Sequence, residues 1–294
     1  MSDPAILAEG LTKRYGDVVG LDSLDLEVGR GEIVGYLGPN GAGKTTTIRL
    51  LLGLLRPTSG RARVLGFDAT RDPWRAHHHL AYVAGDVALW PSLTGAETLH
   101  LLGAVHGSVD AAYRDALVER FEFDPSRRVR TYSKGNRQKL ALIAALMTRA
   151  ELLVLDEPTA GLDPLMEQVF RACVREAAGR GQTVFLSSHV LAEVEALCQW
   201  VAILRRGRLV AIGTLEEMRL QQSLVLQATF SGPVPDLSAV PGVVDPVVNG
   251  AVVSCRVTGP VSPILAALAA AGATRLVSRE PTLEELFLAH YQDA

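Results

Sequence analysis

Nine consecutive residues, Gly38-Pro39-Asn40-Gly41-Ala42-Gly43-Lys44-Thr45-Thr46, hold the densest chemistry in the chain. They fit G-x-x-x-x-G-K-[ST], a loop whose backbone N–H groups converge on phosphate oxygens. Such convergence fails if Cβ atoms crowd the turn, so glycine belongs at 38, 41 and 43. The helix expected to begin near Lys44 adds unpaired N–H groups and the positive end of its dipole. Lys44 then reaches the β- and γ-phosphates of a nucleoside triphosphate, and the Thr45 hydroxyl is a ligand for Mg²⁺. A glycine turn that only caps a helix has no use for the Lys-Thr pair.

Two acids follow about 110 residues later, at the end of Leu152-Leu153-Val154-Leu155-Asp156-Glu157. The continuous apolar run suits a parallel strand buried on both faces. Asp156 at its carboxyl end is placed to hold the magnesium shell, and Glu157 to polarise an attacking water as a general base. Together with the glycine loop, the pair points to hydrolysis of the triphosphate.

Other elements must bring these groups together. The apolar run 33–37 reads as the strand that feeds the glycine loop, and the run 48–55 as the helix that leaves it. Residues 6–15 and 21–28 alternate like an antiparallel pair. From about 87 to 150 the pattern turns helical, opened by the capping box Thr94-Gly95-Ala96-Glu97 and continued by helical spacing over 110–121. Strands and helices alternate again over 152–213, as a mostly parallel sheet requires. Near residue 221 the composition shifts. Strands are expected over 224–230, 252–257 and 275–279, a helix over 261–271, and a last amphipathic helix from Pro281 with Leu283, Leu286 and Phe287 on one side. The expected organisation is a cassette of residues 1–220 and a small α+β accessory domain of residues 221–294.

The chain resembles the ATP-binding cassette of ABC transporters over roughly residues 5–215, with an exporter-like style of loops. The resemblance rests on ordered motifs beyond the two above. Tyr15 lies 23 residues before Gly38, at the place of an aromatic that stacks on adenine. Tyr132-Ser133-Lys134-Gly135-Asn136 stands where the family has its LSGGQ signature. Thr159-Ala160-Gly161-Leu162-Asp163 matches the loop that joins two copies, and Ser187-Ser188-His189 the switch histidine that contacts the γ-phosphate. The resemblance implies a phosphate-loop α/β cassette with an N-terminal antiparallel subdomain and a helical subdomain. It assigns ATP to residues 38–46 and Tyr15, catalysis to Lys44, Glu157 and His189, and Mg²⁺ to Thr45 and Asp156. Ser133, Lys134, Gly135 and Asn136 become contacts to the ATP held by a second copy, with Asp163 in the dimer loop.

Two departures stand out. Lys134 replaces a glycine of the signature and Asn136 a glutamine; Lys134 either attracts a phosphate or points into solvent. After the strand at 80–83 the family has a glutamine that touches magnesium and the attacking water. Here the stretch reads Ala84-Gly85-Asp86-Val87. Gly85 holds the aligned position, and Asp86 is a candidate substitute, directly or through a magnesium-bound water. A slower ATPase is expected from this, not a dead one.

Composition narrows the rest. A net charge of −3 argues against bulk affinity for nucleic acid. Three scattered cysteines, Cys173, Cys198 and Cys255, fit buried thiols in a reducing compartment. No secretory signal and no apolar run of ~18–20 residues is present, so a membrane path must come from another polypeptide. His77-His78-His79 reads as a solvated stretch, since three adjacent histidines on a helix do not face one ion.

One phosphate loop and one signature per chain imply a head-to-tail homodimer that closes on two ATP molecules. The resemblance thus implies an ATP-hydrolysing subunit, on the inner face of the cell membrane, bound to a separate permease that exports a drug, lipid or other hydrophobic compound. Residues 86–94 are the expected socket for that permease, with Trp90 either there or in the core. An importer subunit is one alternative, and a soluble ATPase acting on ribosomes or DNA is another.

Overall fold

The computed structural model describes residues 3–107, 109–220, 224–279 and 285. The chain divides into two compact units, Met1–Ile212 and Gly213–Ala294. The sequence reading sets a junction after residue 220; the units part between Ile212 and Gly213, so the helix at 215–220 goes with the second.

The first unit opens with β1 (Ile6–Tyr15) and β2 (Val18–Val28), paired antiparallel. Their inward residues Ile6, Ala8, Leu11, Leu21, Leu24 and Leu26 are buried, which is the alternation expected of a half-covered sheet. β3 (Ile33–Leu37) is buried at every position. The glycine loop then opens into α1 (Lys44–Leu51). This helix ends short of the apolar run that reaches Leu55, because Gly53 turns the chain at φ +67°. β4 (Ser59–Val64) and β5 (Phe67–Asp68) complete a sheet of order β2-β1-β4-β5. A short α2 (Pro73–His77) leads to β6 (Leu80–Val83).

The helical region comprises α3 (Gly95–His106), α4 (Ala111–Arg120) and α5 (Lys134–Leu146). The capping box before α3 forms as expected: Glu97 N donates to Thr94 Oγ1 at 3.2 Å, and Thr94 N donates to Glu97 Oε2 at 2.7 Å. After it come β7 (Leu152–Asp156), α6 (Pro164–Gly179), β8 (Thr183–Ser188), α7 (Leu191–Leu197), β9 (Trp200–Arg205) and β10 (Arg208–Thr214). These strands enclose β3 in a sheet of order β10-β9-β3-β8-β7-β6, parallel from β9 through β6. Arg206 and Gly207, at φ +47° and +79°, make the two-residue turn into β10. Tyr36 and Phe185 pack at 5.1 Å between ring centroids in the buried core.

The second unit holds α8 (Leu215–Leu220), β11 (Leu224–Phe230), β12 (Val243–Asn249), β13 (Val252–Val257), α9 (Ser262–Ala270) and β14 (Ala273–Arg279). Its antiparallel sheet has the order β12-β13-β11-β14, over a core that includes Leu226, Phe230, Val253, Ile264 and Leu268. β12 is absent from the sequence reading because Pro246 looks like a strand breaker. It sits on a sheet edge, where a missing N–H is tolerated, and the register slips between Val244 and Val247 to accommodate it. The last helix expected from Pro281 lies outside the described residues. All three cysteines are free and buried. Among the described residues no helix is long and apolar enough to cross a membrane.

Candidate active site

Three neighbouring parallel strands deliver the chemistry to one edge of the sheet. Leu37, the last residue of β3, is in register with Ser188 of β8, and Asp156 of β7 with Ser187. The residues that leave these strands are Gly38, His189 and Glu157, so their groups meet beyond the carboxyl ends, where open α/β sheets take ligands.

The glycines of the loop have separate reasons. A Cβ at Gly38 would lie 2.6 Å from the Leu204 carbonyl oxygen, and one at Gly43 2.6 Å from that of Gly20, while Gly43 also holds φ +112°. Gly41 has open space around it but sits at φ +80°. Gly43 caps α1 without a side-chain hydrogen bond, so no capping side chain takes up N–H groups of the first turn. Pro39, Asn40 and Thr46 line the groove beside them, and Ala42 is buried, its N–H bonded to the Pro39 carbonyl at 3.1 Å.

Charged groups interlock at the centre. Lys44 is buried; its Nζ donates to the Gly38 carbonyl at 2.6 Å and lies 3.3 Å from Glu157 Oε1. Thr45 Oγ1 donates to Asp156 Oδ2 at 3.0 Å, and Ser187 Oγ donates to Asp156 Oδ1. Glu157 adopts φ +51°, a conformation costly for a residue with a side chain, and its Oε2 pairs with His189 Nδ1. A groove of about 660 Å³ runs over these groups, with Tyr15 and Asp86 on its walls. Tyr15 is exposed and its ring lies across Gly20, where a Cβ would come within 2.8 Å of Cε2. Thr45 and Asp156 offer a hydroxyl and a carboxylate side by side, an all-oxygen donor pair of the kind Mg²⁺ takes while keeping several waters. Asp86 is exposed. At Gly85 a Cβ would lie 3.3 Å from the Asp156 carbonyl oxygen and 3.6 Å from Glu157 Cβ, so the position of the missing glutamine abuts the acid pair.

The signature segment is built against its own chain. Ser133 caps α5 by accepting from Asn136 N at 3.2 Å. A Cβ at Gly135 would lie 2.5 Å from the Gly161 carbonyl oxygen, which is reason enough for glycine there whatever else it contacts. Lys134 lines the groove of its own chain, and its side-chain stem runs past Gly161. Asp163 caps α6, accepting from Leu165 N and Met166 N at 3.1 and 3.0 Å. The Met166 N–H, foremost, holds the Asp163 carboxyl below its usual range.

Some groups around the site escaped the sequence reading. Gln138 is buried and donates to the Pro158 carbonyl at 2.8 Å, tying α5 to the loop after Glu157. Glu193 is buried beneath the switch turn, and the Ser188 and Thr159 hydroxyls act on its carboxylate. Burial pushes the Glu193 carboxyl up. In sequence both residues read as ordinary polar positions of a surface helix.

A second concavity, about 630 Å³ and mostly apolar, lies between β6 and the helical region. Trp74, Leu89, Trp90, Leu102 and Val105 line it, and Trp90 is 49% exposed, which removes it from the core. Tyr82, Ala84 and Asp86 line both concavities. The histidine triplet does not converge: His77 bonds the Leu52 carbonyl, His79 pairs with Glu151, and no group of metal ligands occurs among the described residues.

The family profile described as "ABC transporter" matches residues 21–160. The daunorubicin resistance ATP-binding protein DrrA3 of Streptomyces coeruleorubidus is 39% identical over 304 residues, covering 98% of this chain and 96% of that protein. Nod factor export ATP-binding protein I of Cupriavidus pinatubonensis is 34% identical over 286 residues, covering 94% and 87%. Among solved structures, an ATP-binding subunit of an ABC transporter superposes with a TM-score of 0.69 at 32% identity, covering 74% of this chain and 92% of its own.

Proposed function

The chain belongs to the ATP-binding proteins of the ABC transporter family, and on that premise we propose that it hydrolyses ATP to power a membrane exporter. The observation that supports hydrolysis most directly is the meeting of Lys44, Asp156, Glu157 and His189 in one groove. Lys44 supplies a buried cation for the β- and γ-phosphate oxygens, and the N–H groups of 38–46 cradle them. Thr45 and Asp156 would hold Mg²⁺, which when bound would supply positive charge against the developing negative charge of the phosphates. Glu157 takes the proton of the attacking water, while His189, bonded to its far oxygen, fixes the carboxylate and faces the γ-phosphate. Tyr15 offers its exposed ring to adenine.

Two copies, head to tail, complete each site, with Ser133, Gly135 and Asn136 of one facing the ATP of the other. Lys134 adds a positive charge at the rim, and Asp86, on the groove wall, would be an oxygen donor towards Mg²⁺ in the absence of a glutamine. The apolar hollow around Trp90 takes a helix of a separate permease subunit, which keeps the chain at the inner face of the membrane. The relatives, resistance and export proteins by name, favour export over import or a soluble role on ribosomes or DNA. A drug as cargo is in keeping with the daunorubicin resistance protein among the relatives.

Affinity capture of the full chain from its own membranes in mild detergent tests the scheme. A stoichiometric multi-span membrane protein is expected. Ribosomal or DNA-bound proteins without a membrane chain would overturn the transport reading and leave the ATPase.

A further inference from the structure

α7 packs so closely on β3 that a Cβ at Gly35 would collide with Val194 Cγ1 and approach Cys198 Sγ to 3.1 Å. That fit seats the first turn of α7 under the switch turn, and Glu193 is left only 8% exposed there. Ser188 Oγ donates to Glu193 Oε2 at 2.8 Å and accepts from Val190 N at 2.9 Å. Ser188 is thus fastened to one buried carboxylate, and Val190, on the far side of His189, to the Ser188 hydroxyl. The other groups acting on that carboxylate are the hydroxyl of Thr159, in the loop that runs from Glu157 to Asp163, and the Glu167 and Glu157 side chains.

A carboxylate is a poor choice for packing alone. Burial opposes its charge, and an apolar side chain would fill the space without that cost. We propose that Glu193 is a positioning residue for hydrolysis: it holds Ser188, and through it the turn at His189, against the loop 159–163, and so sets His189 relative to Glu157. This rests on the assignment of Glu157 and His189 to catalysis. Glu193 itself touches neither of them by hydrogen bond; it acts through Ser188. Because the loop it faces carries Asp163, placed above at the contact with a second copy, Glu193 also lies between the dimer loop and the switch histidine.

Steady-state ATPase of the full chain, with ATP varied at saturating Mg²⁺, tests this in Glu193→Ala, Glu193→Gln, Ser188→Ala and the Ser188→Ala/Glu193→Ala double variant. Glu193→Ala is expected to lower kcat about tenfold with KM within about twofold. Glu193→Gln should recover most of the rate, because its amide oxygen still accepts from Ser188. The double variant should be no slower than the slower single one, since both act through one hydrogen bond. An unchanged kcat in Glu193→Ala, losses that multiply in the double variant, or a fall in kcat no larger than the loss of folded protein by circular dichroism would each overturn the proposal. If Glu193→Ala does not fold, Ser188→Ala and Glu193→Gln carry the same comparison. Full activity of Glu157→Gln would instead remove the catalytic assignment beneath it. An inactive Glu157→Gln beside a fully active Glu193→Ala removes only the role of Glu193.

Discussion

The groove and the apolar hollow share a wall, Tyr82, Ala84 and Asp86, but are made in opposite ways. In the groove nearly every group that matters is held by another: Lys44 by Gly38 and Glu157, Asp156 by Thr45 and Ser187, Glu157 by His189. Such interlocking preorganises charge, and it works only at one spacing of residues. The hollow depends on surface and shape. Trp74, Trp90 and Val105 stand 60%, 49% and 74% exposed, and many apolar residues would serve in their places. A ligand with fixed charges needs the first design; a partner that brings its own apolar helix needs the second. The shared wall sets the two side by side.

The largest effect should come from breaking the groove. Glu157→Gln is expected to reduce ATPase by about 10²–10⁴-fold while leaving ATP binding, so that light scattering shows a dimer with ATP. A variant that stays monomeric at saturating ATP would count against the head-to-tail scheme. Next comes the cradle. Gly43→Ala meets both the Gly20 carbonyl and φ +112°, so it should lose about 1–3 kcal/mol of stability and weaken ATP at least about tenfold, by thermal melts and calorimetry. Gly41→Ala, strained but unobstructed, should lose less; equal losses would mean that strain, not contact, sets the loop. Breaking the hollow should do the reverse. Trp90→Ala is expected to leave ATPase of the isolated chain within about twofold and to weaken capture of the membrane partner by about tenfold or more, as loss of an aromatic anchor does.

That contrast also explains what could be read from the residues alone. The glycine loop, the acid pair and the box at Thr94 are all short-range: each is a spacing along the chain that has one physical meaning. That the strand ending at Asp156 is parallel and buried followed from its continuous apolar run, whereas the order β3-β8-β7 did not. What stayed illegible depends on tertiary neighbours. Gln138 and Glu193 look like solvent-facing helix residues until α5 and α7 are laid against the strand ends. β12 is concealed by Pro246, acceptable only because that strand is an edge. Trp90 was undecided between core and surface, since an aromatic in an irregular segment has no periodicity to betray its side.

The smallest effect tests the shared wall itself. Gly85 has no positive φ, so a side chain there needs no unusual backbone. Its Cβ would press on the Asp156 carbonyl oxygen at 3.3 Å and stand 3.6 Å from Glu157 Cβ, which asks the neighbours to give by a few tenths of an ångström. Gly85→Gln therefore puts an amide beside the acid pair, where, on the proposed role of Glu157, it can hold the attacking water. The expected gain in kcat is about threefold, the rate equivalent of one ordinary net hydrogen bond. Since residue 85 lines the groove and not the hollow, capture of the membrane partner should not change. A kcat equal to that of the parent protein would show that the slot beside Asp156 has no part in hydrolysis. A change in capture of the same size as the change in rate would show that groove and hollow act as one site, because a side chain confined to one side of the wall would then have been felt on the other.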